Sequence, residues 1–463
     1  MSVVEAVERC AVRVWMPVWV WVSVCALACA PEPWPERPHV LIVTLDTTRV
    51  DHLSVYGYDL PTTPHLERLA RDAVLFTRAR STSSWTLPAH ASLFTGKFPP
   101  SHGARYDPEG PLILSSGIER PGLVPREVME RFRARGLAAD EVTLAQLLAQ
   151  AGYATGAVVA GPWLKRVFGL DRGFAFYDGE GITDLDGRPA GDVTRRASEW
   201  LRDPANRPFL LFLNYFDPHS PYRPPPDHER RFLEAARRGG GKLSAAERKR
   251  ALYDAEIGFA DEQLGRVLQL LLELDVYDDT LIVVTGDHGE LFGEHDISGH
   301  GRYLYEPLLR VPLIVKLPRQ RDAGQVVDTP VQLTDIVPLV LDRAGLPLPP
   351  EVQGRPPSEA GERTLFAEVY PDPRSVAVGQ WRALYDGSYK FVWNSNGSHA
   401  LYDLERDPEE SRNLLEREPE RARELRARLE RFVAGLPEPA AAGPEIEVDT
   451  ETREALKAMG YLE

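Results

Sequence analysis

Three apolar runs in this chain end on groups that can bind a cation or move a proton. HVLIVTLD delivers Asp46, PFLLFLNYF is followed by Asp217 and His219, and TLIVVTG is followed by Asp287 and His288. The last of these opens TGDHGELFGEHDISGH, where three of the eleven histidines, His288, His295 and His300, fall close together. Carboxylates and imidazoles at this density suit a divalent metal site. Gly286, Gly289, Gly293 and Gly299 suit a loop bent tightly around an ion or anion. A fourth stretch, STSSWTLPAHASLFTG, places Thr86 two residues before Pro88, where a helix is predicted to start. A helix N-terminus favours negative charge. A threonine hydroxyl there, also held by a cation, could act as a nucleophile. The same position suits a simple Thr N-cap, and this stretch alone favours the cap.

The elements that would position these groups can be read from periodicity. Strands are predicted over 39–46, 153–161, 208–216, 280–286 and 311–318. Helices are predicted over 64–76 (Thr63 as N-cap, Pro64 first), 140–152 and 251–274. Strands alternating with helices imply an α/β fold: a mostly parallel central sheet flanked by helices. In such sheets ligands bind beyond the carboxyl ends of the strands, where Asp46 and the Asp217/His219 and Asp287/His288 pairs fall. Residues 103–138, rich in Gly, Pro and Arg, read as an insertion or a lid, and 221–242 reads as an irregular surface stretch. From about 364 the runs shorten, with a hairpin turn at Asp386-Gly387 and a charged helix over 417–434, giving a smaller C-terminal α+β domain. The expected division is 1–30 export segment, 31–38 linker, 39–345 catalytic domain and 346–463 C-terminal subdomain.

The net charge of −15 gives no basic footprint for a nucleic-acid partner. The three cysteines, Cys10, Cys25 and Cys29, all lie in the first thirty residues, so none is available as a nucleophile or thiolate ligand further on. Arg9 and Arg13 precede an apolar run over 14–30, of signal-peptide length and short for a membrane span. Ala26-Leu27-Ala28-Cys29 resembles a bacterial lipobox. The expectation is an exported protein, periplasmic or in the outer cell envelope, with a lipid tether through Cys29, plain secretion or an uncleaved anchor as the alternatives.

The ordered motifs LIVTLDTTRVDHLSVYGY, TLPAHASLFTGKFP, FLNYFDPHSPY, VVTGDHGELFGEH and GHGRYLYEPLLRVPLIV resemble the sulfatase family of the alkaline phosphatase superfamily. LYDLERDPEESRNL at 401–414 is similar to the C-terminal segment of the same proteins. The resemblance implies an α/β core with a divalent metal held by Asp46, Asp287 and His288 together with the Thr86 oxygen. It places Thr86 at the nucleophile position, and implies that His219 and His300 bind the transferred group or protonate the leaving group. His90, Arg49 and His295 are the further substrate-binding candidates. The mixed oxygen and nitrogen ligands favour Zn²⁺ or Mn²⁺, with Ca²⁺ an alternative. Two departures stand out. Thr86 replaces the Cys or Ser that sulfatases convert to formylglycine, and His90 replaces the motif Arg. A secondary alcohol oxidises to a ketone, so no formylglycine is expected. Where sulfatases often carry two Asp, this chain reads Asp46-Thr47. The reading is a metal-dependent hydrolase of sulfate or phosphate esters, favouring phosphoesters and phosphodiesters. The substrate would be a small-molecule, glycan-linked or lipid-linked ester. The alternatives are an envelope phospho-group transferase and an inactive sulfatase-like binding protein.

Overall fold

The structure is a computed structural model, described here for residues 37–107, 134–182, 187–237, 241–359, 363–370 and 378–439. The export segment and most of the 103–138 insertion lie outside the described residues. What is described of the insertion is a short ladder at its base, Arg105–Tyr106 paired with Ala134–Arg135.

In chain order the elements that build the core are β1 (His39–Leu45), α1 (Pro64–Arg71), β2 (Val74–Phe76), α2 (Thr86–Thr95), β3 (Ala154–Val158), β4 (Phe176–Asp178), α3 (Ala190–Leu201), β5 (Phe209–Tyr215), α4 (Pro226–Ala236), α5 (Ala245–Glu273), β6 (Thr280–Gly286), β7 (Leu313–Lys316) and β8 (Val326–Val327). The eight strands form one sheet in the order β8-β2-β7-β6-β1-β5-β3-β4. The strands from β6 to β4 run parallel, as the alternation of strands and helices predicts. β7 breaks the pattern, running antiparallel to both β6 and β2.

The two faces of the sheet have different partners. Leu41, Val43 and Leu45 of β1, with Leu211, Leu213 and Tyr215 of β5, pack under α1, α3 and α5. The alternate residues face α2: the Phe212 ring lies 4.8 Å from Phe94 and 5.8 Å from His90. Period-two alternation thus sends one set of side chains to the helical core and the other toward α2.

Three local expectations are corrected. The predicted helix over 64–76 ends at Arg71, and 74–76 is a strand, because Val74–Phe76 gains a ladder with β7. Residues 226–236, expected to be irregular, form helix α4, with Pro226 in its first turn and Phe232 and Leu233 buried. Thr63 does not cap α1, since its hydroxyl accepts the Val55 N–H at 3.1 Å. The first turn of α1 is capped instead by Asp261 of α5, whose carboxylate accepts the His65 and Leu66 N–H groups at 2.9 Å each. Sequence neighbours cannot reveal a cap supplied from 196 residues away. Asp261→Ala should therefore cost about 1–2 kcal/mol, read from the urea midpoint, with Asp261→Asn losing less. A midpoint unchanged in the alanine variant would show that the cap contributes nothing.

The C-terminal residues form a separate antiparallel sheet of β9 (Leu365–Val369), β10 (Trp381–Asp386), β11 (Tyr389–Asn394) and β12 (Ala400–Asp403), with the predicted turn at Gly387. Helix α6 (Pro419–Ala434) covers one face through Leu425 and Leu429. Glu306 ties this sheet to the core. Its carboxylate accepts from Arg80 at 2.9 Å, from Lys390 of β11 at 3.1 Å and from the Tyr385 hydroxyl of β10 at 2.7 Å. Lys390 also reaches Glu410 at 2.7 Å. Burial alone would raise the Glu306 carboxyl, but Arg80 and Lys390 hold it far below the usual carboxylate range.

Candidate active site

The site is assembled by register. Leu45 of β1 pairs with Gly286 of β6, so Asp46 and Asp287, each one residue further on, emerge side by side. Thr44 pairs with Asn214 of β5, which brings a third polar group to the same rim. Ligand atoms of Asp46, Asp287 and His288 all lie within 4.8 Å of one another, and all three residues are buried.

Each carboxylate is half used. Asp287 Oδ1 accepts the N–H of His288 at 2.8 Å and of Thr47 at 3.1 Å, while Asp46 Oδ2 faces Asn214 Nδ2 at 3.5 Å. Asp46 Oδ1 and Asp287 Oδ2 are fully buried with no hydrogen-bond partner in the protein. Burial first, and then the charge of Asp287, push the Asp46 carboxyl well above its ordinary value. Two buried acceptors aimed at one point, beside an imidazole nitrogen, fit a divalent cation. The donor set of two carboxylates, one hydroxyl and one imidazole is the mixed kind that Zn²⁺ and Mn²⁺ accept.

Thr86 completes the cluster and is not a cap. The N-cap of α2 is Trp85, α2 starts at Thr86 rather than after Pro88, and no side chain caps it. Pro88 sits in the first turn, where a missing N–H breaks no helical bond. Thr86 Oγ1 lies 3.1 Å from His288 Nε2. His288 donates its Nδ1–H to the Gly289 carbonyl at 2.9 Å, so the Nε2 lone pair faces Thr86. Burial pushes the His288 imidazole down to about 4, which keeps it neutral at pH 7.

His219 and His300 stand opposite. The His219 ring stacks on Phe216 at 4.3 Å and meets His300 edge-on at 4.9 Å, and His300 lies 4.7 Å from His288. Burial, followed by the nearby His300, lowers His219 to about 3.

Other expected participants are placed elsewhere or committed. His90 is fully buried, its Nδ1–H donating to the Thr86 carbonyl at 2.9 Å and its Nε2 bound to the Thr44 hydroxyl at 3.1 Å. No nitrogen remains for a substrate, so His90 supports the turn that carries Thr86 instead. Arg49 spends its guanidinium on Asp51, Glu294 and the Glu290 carbonyl, and so props the 290–294 loop. His295 stacks flat on Tyr305 at 3.8 Å, outside the cluster. Asp217 accepts the Ala190 N–H at 2.9 Å and caps α3. Thr47 supplies no ligand. Its backbone is left-handed (φ 50°), which aims its N–H at Asp287, and its hydroxyl donates to the Pro218 carbonyl at 2.8 Å. That conformation costs about 1–3 kcal/mol in a non-glycine residue.

Two contributors escaped the sequence reading. Glu290 is buried and sits 3.3 Å from His300 Nδ1, and its one signal was its place two residues after His288. Asn214 accepts the Ala160 and Gly161 N–H groups at 3.2 and 2.9 Å while its amide faces Asp46. An amide inside the otherwise apolar run FLLFLNYF was its visible signal.

The sequence matches the sulfatase family over residues 38–346, and the C-terminal region of N-sulphoglucosamine sulphohydrolase over 293–435. The chain belongs to the sulfatase family. It is therefore a hydrolase acting on sulfate or phosphate ester bonds. An ulvan-active sulfatase of Formosa agariphila is 24% identical, covering 87% of this chain and 82% of its own length. A multifunctional alkaline phosphatase superfamily protein of Trinickia caryophylli is 28% identical over 82% of this chain and 91% of its own length. The phosphonate monoester hydrolase of Agrobacterium radiobacter shares the fold, with a TM-score of 0.67 at 22% identity, covering 86% of this chain and 96% of its own. Within this sulfatase, the described residues contain no helix long and apolar enough to cross a membrane.

Proposed function

We propose that this sulfatase-family protein is a metal-dependent phosphoesterase that works through Thr86, with phosphodiesters and phosphonate monoesters as its preferred substrates. The observation that carries the reading is the Thr86 hydroxyl, 3.1 Å from His288 Nε2 and beside two orphaned carboxylate oxygens. Asp46, Asp287, His288 and Thr86 would hold the cation. When bound, it supplies Lewis-acid chemistry, lowering the hydroxyl's pKa and offsetting charge on the transferred group.

The chain's own residues set the rest. The N-terminus of α2 favours the anionic form of Thr86 and of an ester oxygen next to it. Thr86 Oγ1, its proton lost to solvent, attacks phosphorus in line; one P–O ester bond breaks, its alcohol leaves, and the rest stays on Thr86 as a phosphodiester or phosphonate ester. His300, whose Nδ1 lies 3.3 Å from the Glu290 carboxylate, would protonate the departing alkoxide. His219, neutral with its Nδ1–H donated to the Ser220 carbonyl at 2.6 Å, would line the site without donating to the ester. Water then displaces Thr86. The phosphoester preference is supported by Thr86 itself, a secondary alcohol that cannot become an aldehyde. The names of the Trinickia and Agrobacterium relatives point the same way. Export, with a lipid tether through Cys29, belongs to the same proposal and rests on the N-terminal sequence alone.

The test is to load the purified protein separately with Zn²⁺, Mn²⁺ and Ca²⁺ and assay aryl esters: a phosphomonoester, a phosphodiester, a phosphonate monoester and a sulfate. Phosphodiester or phosphonate turnover that depends on Zn²⁺ or Mn²⁺ is the expected result. Dominant sulfate turnover would overturn the substrate preference while leaving Thr86 in place.

A further inference from the structure

The turn that carries Thr86 is held by a chain of buried donors whose direction can be read from end to end. Asn214 starts it. Its Oδ1 accepts the Ala160 and Gly161 N–H groups at 3.2 and 2.9 Å, which fixes Nδ2 as the end turned toward Thr44 and Asp46. Nδ2 donates to Thr44 Oγ1 at 3.2 Å and faces Asp46 Oδ2 at 3.5 Å. The Thr44 hydroxyl lies 3.1 Å from His90 Nε2, and His90 Nδ1 lies 2.9 Å from the Thr86 carbonyl. His90 is fully buried, with its ring edge-on to Phe212 at 5.8 Å and Phe94 at 6.3 Å, so the imidazole is neutral. A carbonyl oxygen only accepts, so the His90 proton sits on Nδ1. Nε2 is then an acceptor, and Thr44 must donate to it.

The chain joins the two halves of the reacting centre. His90 stands four residues after Thr86 on α2, and helical side chains lean back over the preceding turn, which is how its Nδ1 reaches the Thr86 carbonyl. The same nitrogen is 3.6 Å from Asp287 Oδ2, so the ring edge borders the cation site. At the other end Asn214 faces Asp46. Each polar proton along the way has one acceptor, so the chain has one arrangement. A side chain at position 90 that lacked either nitrogen bond would leave the Thr86 turn free to shift relative to Asp46.

We propose that His90 is a positioning residue for the nucleophile: with Thr44 and Asn214 it fixes the angle at which Thr86 presents its oxygen to the cation site. The proposal rests on the hydrolase reading of the Thr86 site and adds what holds that oxygen in register with Asp46. Displacement of a reacting group by about 1 Å can cost ~10²-fold in rate, so the effect falls on kcat rather than on binding.

The test uses the full chain loaded with Zn²⁺ and an aryl phosphodiester, well below the melting point of each variant. His90→Phe keeps a ring and removes both nitrogen bonds. It should lower kcat ~10²-fold, with KM and the Zn²⁺ Kd, the latter from chelator competition, within about twofold of native. Thr44→Val breaks the middle link alone and should cost about tenfold in kcat. His90→Asn sets an amide where Nδ1 stood and leaves a cavity in place of the rest of the ring. A packing role makes it worse than His90→Phe. A positioning role makes it about tenfold faster than His90→Phe, because the donor to the Thr86 carbonyl is restored. Independently of turnover, NMR of ¹⁵N-histidine-labelled native protein should show His90 as the Nδ1–H tautomer. The Nε2–H tautomer, a kcat within about twofold of native in Thr44→Val, or a His90→Asn slower than His90→Phe overturns the proposal. If His90→Phe does not fold, Thr44→Val and the tautomer decide. Native protein that turns over no ester refutes the hydrolase reading itself, and the positioning role falls with it.

Discussion

Thr86→Ala should lower turnover of the preferred ester by at least ~10³-fold, with the fold and the cation site otherwise intact. The size of the loss follows from the hydroxyl's position. It caps no helix and is 1% exposed, and among the described residues its one polar partner is His288 Nε2. Removing it costs little packing but removes the group proposed to attack. Thr86→Ser keeps a hydroxyl at the same point and should stay within about tenfold of the native rate. Steady-state kinetics on both variants, with circular dichroism as the control for folding, decides the matter. A Thr86→Ala protein that keeps more than a tenth of native activity would mean that water attacks directly and the threonine only binds.

The second large effect concerns stability, and its sign changes with the cation. In the metal-free protein Asp46 and Asp287 face each other in a buried space, and each carries an oxygen without a partner. Asp46→Asn removes the carboxyl whose ionisation this buried space penalises, so above the unfolded carboxylate pKa the metal-free variant should be more stable than the native chain by about 1–3 kcal/mol. Cation binding should reverse the order. A site filled at one hundred times its Kd stabilises by about 2.7 kcal/mol, and Asp46→Asn should forfeit that gain. The pH dependence has the same origin. The folded carboxyl of Asp46 titrates well above its ordinary value. The metal-free fold therefore holds a proton that the unfolded chain has released. This group's contribution falls as pH rises from the unfolded carboxylate pKa toward the raised folded one. That slope should be absent in Asp46→Asn. Thermal melts with and without Zn²⁺, across pH, would refute the arrangement if the metal-free variant were less stable than native.

What could be read in advance follows from how local each signal is. Strands β1, β5 and β6 are continuous apolar runs, and a buried parallel strand is about the most legible element there is. Asp46, Asp287 and His288 could be found because they directly follow such runs, and register does the rest. The misreadings share another cause. Helix α4 hides in a Pro- and Arg-rich stretch because its stability comes from burying Phe232 and Leu233 against α5, not from its own pattern. The antiparallel sense of β7 is a property of connection, invisible in VPLIVKLP itself. His90 and Arg49 looked available because their residue types suit an anion. Their donors are claimed by Thr86 and Thr44 in one case, and by Asp51, Glu290 and Glu294 in the other, and such claims become visible only when distant segments meet.

The Glu306 junction bears on how this architecture can be recombined. One carboxylate serves Arg80, six residues upstream of Thr86, and Lys390 and Tyr385 of the C-terminal sheet. A sheet borrowed from another protein would have to bring a cation and a phenol to the same point. Otherwise Glu306 would be left with a single partner. Loss of one partner from a buried ion pair costs about 3–5 kcal/mol, a large share of a domain's whole stability. The C-terminal sheet is therefore poorly suited to shuffling as an independent cassette. A chain that took up a sheet lacking that cation and phenol would have to replace Glu306 and Arg80 at the same time.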